Sequence, residues 1–131
     1  MLNPFPSLLD YTFFAPTLLR IVAAIVIAVM VRHHFKNQRE IRALIHPIVG
    51  NLARYLLALV LLIEAAVAVC LFVGFETQLA AIVGALLAIR SLLVRPRVLS
   101  PFDRTTDWLL LAVCVSLLIT GAGGYAFDVP L

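Results

Sequence analysis

Residues 55–74, "YLLALVLLIEAAVAVCLFVG", form a twenty-residue apolar run interrupted by a single charged side chain, Glu64. A helix of that length spans the ~30 Å hydrocarbon core of a bilayer at ~1.5 Å per residue. An ionised carboxylate at bilayer centre costs at least ~2–3 kcal/mol unless other protein groups enclose it. A chain that carries such a residue must pack this segment against further helices, with the acid turned inward and either paired with a cation or protonated.

The remaining sequence supplies those helices. Apolar residues make up 63% of the 131 residues, charged residues 13%, and the mean hydropathy is +1.09. A soluble domain is nearer half apolar and a quarter charged, so the composition predicts an integral membrane protein. Four spans are expected, at about 16–32, 55–74, 77–94 and 108–127, within one transmembrane domain covering residues 1–131. The first is the shortest in apolar content and carries Arg20. No basic segment precedes it, so it is expected to persist as a span and not as a cleaved leader.

Charge sets the expected orientation. Arg32, Lys36, Arg39, Arg42 and Arg54 flank the connection between spans one and two, and Arg90, Arg95, Arg97 and Arg104 the connection between three and four. The opposite side offers Arg20 against Asp10, Glu76 and Asp128. The positive-inside rule places both basic loops in the cytoplasm and both termini outside, giving an all-α, antiparallel four-helix bundle in a cell membrane. Clustering of the basic residues beside apolar spans points to headgroups as their partners and excludes nucleic acid. Within the cytoplasmic loop 33–54, Ile41, Leu44, Ile45 and Ile48 fall at helical spacing between basic residues, which predicts an interfacial amphipathic helix that Pro47 ends. Thr106 or Asp107 is the expected cap of span four.

Several polar residues are candidates for a site. Arg20 either reaches Glu64 or extends outward to headgroups. Glu64 itself is either a packing device or a functional acid. Thr120, Tyr125 and Asp128 either line the outer mouth of the bundle or serve as a backbone-bonded threonine and an interfacial anchor. In span three Ala80, Gly84 and Ala88 repeat every four residues, a stripe that suits close helix packing, within the bundle or between two copies. His33, His34 and His46 fall at the cytoplasmic interface and are expected to be solvated, because a haem needs histidines inside two spans. Cys70 and Cys114 lie at different depths, too far apart for a disulfide. No nucleophile–base pair, metal-ligand cluster or dinucleotide fingerprint occurs.

Three segments resemble the DoxX-like family of small four-helix bacterial and archaeal membrane proteins, which implies a bacterial or archaeal cytoplasmic membrane. The first is "LLRIVAAIVIAVM", an opening span with an early arginine, Arg20. The second is "IEAAVAVCLFVGFETQLAAIVGALLAI", carrying Glu64, Gly74 and Thr77. The third is the ending "GAGGYAFD", with Gly121, Tyr125 and Asp128. Members have been linked to a thiosulfate:quinone oxidoreductase as a small subunit and to membrane redox assemblies. The resemblance implies an accessory or anchoring subunit of a quinone-linked redox complex. Such a subunit would have no cofactor or metal of its own, with quinone as the carrier it meets, and other membrane subunits and the bilayer as its partners. Two rival expectations stand beside it, a purely structural or assembly subunit and a small transporter.

Overall fold

Pro16 occupies the first turn of the first helix, where its missing N–H forfeits no intrahelical bond. In the computed structural model, which describes residues 14–94 and 100–121, this helix is α1 (Ala15–Lys36). It is followed by α2 (Gln38–Val49), a 3₁₀ turn (Gly50–Leu52), α3 (Ala53–Val73), α4 (Thr77–Leu93) and α5 (Arg104–Thr120). No strand occurs among the described residues.

The helix ends differ from expectation in three places, each with a local cause. Nothing in "VRHHFK" stops a helix, and its basic residues suit the negative C-terminal end of the dipole. The helix α1 therefore continues past 32 and takes His33 and His34 into its last turns. Pro47 does not end α2. The break falls three residues later at Gly50, whose φ of 61° and ψ of −138° suit a residue without Cβ. Residues 104–107 are helical, so Asp103 replaces Thr106 or Asp107 as the N-cap of α5, and its carbonyl accepts from Thr106 N at 2.9 Å.

Between α3 and α4 the chain turns in three residues. Gly74 adopts the left-handed conformation (φ 79°), and the N–H groups of Gly74 and Phe75 both bond to Cys70 O, at 2.8 and 3.0 Å. Glu76 is also left-handed (φ 48°), the sole non-glycine with positive φ among the described residues.

Two segments are long and apolar enough to cross a membrane, Ala15–Lys36 and Gln38–Val73. The helix α4 is apolar but has 17 residues, and α5 also has 17, ending at Thr120 with Gly121 (φ 75°) as its C-cap, while residues 122–127 of the expected fourth span lie outside the described residues. The helices α1, α3, α4 and α5 surround one interior, α1 packing on α3 and α5, and α4 on α3 and α5, while α2 rests on α3.

That interior is built from one stripe per helix at 3.6-residue periodicity. It runs through Ala23, Ala24, Ile27 and Met30 on α1, and Val67, Ala68 and Leu71 on α3. Ala80, Ala81, Ala85 and Ala88 continue it on α4, and Leu110, Cys114 and Leu117 on α5. Gly84 marks the convergence. A Cβ there would meet Cys114 Sγ at 3.1 Å, Ile27 Cδ1 at 3.5 Å and Val67 Cγ1 at 3.8 Å, one contact from each of the other three helices. The outer surface is strongly apolar, with Leu18, Leu62, Val69, Leu86, Leu109 and Ile119 all exposed.

Candidate functional site

Glu64 stands on the inward stripe of α3, three, four and seven residues before Val67, Ala68 and Leu71, so the helix period alone delivers its carboxylate to the interior. The same logic on α1 carries His34 inward, four residues after Met30 and seven after Ile27. His34 Nδ1 lies 2.7 Å from Glu64 Oε2, with the two side chains 1% and 0% exposed. Arg90, near the end of α4, donates from Nη2 to Glu64 Oε1 at 3.0 Å and keeps its side chain 32% exposed. Three helices thus supply one group each to a single cluster.

An ionised carboxylate is acceptor-only, so opposite it His34 Nδ1 carries the hydrogen and donates. If the proton instead rests on Oε2, the acid donates to a bare Nδ1. One proton therefore has two resting atoms at hydrogen-bond distance. This arrangement meets the requirement for placing a carboxylate in an apolar interior, because both its oxygens have partners.

A second polar tie lies alongside. Ser91, the residue after Arg90, donates from Oγ to Asp107 Oδ2 at 2.7 Å, and Ser100 Oγ reaches the same oxygen at 3.3 Å. This buried aspartate fastens α5 to α4. A recess of about 510 Å³ opens beside it, lined by His33, Ser91, Ser100, Asp103, Arg104 and Asp107. His33 and Ser91, the chain neighbours of His34 and Arg90, both border this recess.

Arg20 is not the partner of Glu64. It is buried at 3% exposure on the same face of α1 as His34, but the rise from residue 20 to residue 34 is about 21 Å, and both carboxylate oxygens are already taken. His34 is buried and hydrogen-bonded to Glu64, not solvated, because α1 extends far enough to bring it onto the core face. Arg90, counted with the loop charges in the sequence, turns its guanidinium to the acid. Thr120 lies apart from the cluster and donates to Ser116 O of its own helix at 2.8 Å. Tyr125 and Asp128 lie outside the described residues. Ala80, Gly84 and Ala88 are buried in the core rather than on an outer seam. Cys70 and Cys114 are both free. Among the described residues no three His, Cys, Asp or Glu side chains come together as a metal site.

Two signals would have found the missed members. His34 continues the 23/24–27–30 stripe of α1. Glu64 lies ten residues before Gly74 and Arg90 fourteen after Glu76, so two helices packed on each other from that turn bring them within about one helical turn in depth, a gap the long arginine side chain crosses.

No protein-family model, no curated protein and no solved structure matches this chain.

Proposed function

We propose that the chain is a small multi-pass membrane protein serving as an accessory subunit of a larger quinone-linked redox assembly, with His34, Glu64 and Arg90 as its proton-handling centre. In this reading α1, α3, α4 and α5 cross the cytoplasmic membrane as an antiparallel bundle, the basic connections face the cytoplasm and both termini face outward. The apolar outer surface supports the membrane placement, since side chains such as Leu62 and Ile119 are what acyl chains would cover. The 2.7 Å contact between the buried His34 and Glu64 carries the functional part.

Quinone reduction takes up two protons with two electrons. The electrons come from the partner subunit, and the role assigned to this chain concerns a proton. Protonated Glu64 releases it to the reduced carrier, the resulting carboxylate is held by Arg90, and His34 returns a proton from the side where Arg90 meets solvent. The resemblance to DoxX-like proteins points the same way.

A second reading follows from a specific observation: both oxygens of Glu64 are satisfied from within the chain by His34 and Arg90. The cluster would then only brace the helices of an assembly subunit. Purification from native membranes in gentle detergent, with identification of co-purifying chains and extraction of bound quinone, separates the two. The redox reading expects a redox partner, bound quinone, and at least a tenfold loss of quinone-dependent turnover in Glu64→Gln with assembly intact, in the range general acid–base groups contribute. Unchanged turnover in an intact complex assigns the chain to bracing, and so does a chain that purifies with no redox partner.

A further inference from the structure

We infer that the elbow between α2 and α3 binds the phosphate of an anionic phospholipid. A recess of about 440 Å³ opens there, lined by Arg42, His46, Gly50, Asn51, Arg54 and Tyr55. Arg42 and His46 are four residues apart and so share one face of α2. Gly50, at φ 61°, makes the bend after which Arg54 joins them from the first turn of α3. No carboxylate lines the recess; the acid of α2, Glu40, belongs to its first turn.

Arg42 is already oriented. Its Nη2 donates to Gln38 Oε1 at 2.9 Å, while its Nε is buried with no acceptor among the described residues. Burying a guanidinium N–H without an acceptor costs free energy, which a phosphate oxygen bound at Arg42 would offset. The rim decides the source of that phosphate. Tyr55, which lines the recess, is 71% exposed, and Ile48 and Leu52, close in the chain to its lining residues, are 84% and 54% exposed. Acyl chains attached to the phosphate would cover them, whereas inorganic phosphate leaves them in water. Basic recesses beside membrane helices have this chemistry for anionic headgroups. The inference rests on the membrane placement proposed above and not on the quinone role.

The test uses the full chain, without partners, in nanodiscs of mixed phosphatidylglycerol and phosphatidylcholine, with native mass spectrometry counting the lipids retained on ejection. Wild type is expected to retain phosphatidylglycerol in preference. Arg42→Gln and Arg54→Gln should each weaken that preference about fivefold, the double substitution should abolish it, and Arg39→Gln, one turn before Arg42 but exposed and outside the lining of the recess, should leave it intact. Excess inorganic phosphate should not displace the lipid. Equal retention of the two lipids by wild type, an equal loss in Arg39→Gln, or displacement by inorganic phosphate overturns the site. A chain that fails to enter nanodiscs overturns the membrane placement instead, and circular dichroism of each variant confirms that helix content is kept.

Discussion

An acid as deeply enclosed as Glu64 matters to stability mainly through what its removal leaves behind. Glu64→Ala strands a buried imidazole and a guanidinium facing each other across a void, and should cost about 3–5 kcal/mol. Glu64→Gln keeps the shape and an acceptor oxygen, and should cost about 1–3 kcal/mol. Arg90→Ala should cost less than Glu64→Ala, because the arginine is partly solvated and His34 stays with the carboxylate. Equilibrium unfolding in mixed micelles reads this order, and equal losses from all three substitutions would contradict it. At this scale the sequence made the acid legible but not its partners. Glu64 stands out because nothing charged lies within nine residues on either side, whereas His34 sits in "RHHFK", a segment whose polarity looks like the end of a span. Only the 3.6-residue phase of Ile27 and Met30 distinguishes His34 from its less buried neighbours, and only the turn at Gly74 brings Arg90 within reach of the acid.

At the scale of helices, the closest approach lies at Gly84. An alanine there would gain up to ~1 kcal/mol of helix propensity but bring its Cβ to 3.1 Å from Cys114 Sγ, and overpacking costs about 1–3 kcal/mol. Gly84→Ala is expected to destabilise the bundle, while in a Cys114→Ala background the same change is expected to be neutral or stabilising. The coupling in a double-mutant cycle should be about 0.5–3 kcal/mol. Additive effects would show that α4 and α5 do not meet there. Glu76 offers an independent check: its left-handed backbone is costly for any side chain, so Glu76→Gly should raise stability by up to ~1 kcal/mol, and a loss would contradict that conformation. The long apolar segments and the tight turn after Gly74 could be read from periodicity and glycine alone. The ends of α2 and α5 could not. Pro47 near a helix C-terminus sacrifices one bond where Gly50 offers an easier break, and Asp107, which looks like a cap, is engaged by Ser91 on another helix.

Among the described residues, four long helices converge on a narrow, alanine-rich interior and present leucine, isoleucine and valine outward, and the interior holds the Glu64 cluster and the Ser91–Asp107 tie. Composition already implied a helical chain with apolar surfaces on every side. It could not reveal which polar residues share the interior, because that depends on the registers of separate helices. The account depends on His34, and not Arg20, being the neighbour of Glu64 when the chain sits in a bilayer. With three histidines in the sequence, selective labelling is tractable. Solid-state NMR of the wild-type chain in lipid bilayers, recoupling the Glu64 carboxyl carbon to side-chain nitrogens, measures this directly. The expected result is a short carbon–nitrogen distance, about 4 Å or less, to His34 Nδ1 and to the Arg90 guanidinium. A carboxyl coupled to Arg20, or to neither His34 nor Arg90, would contradict it.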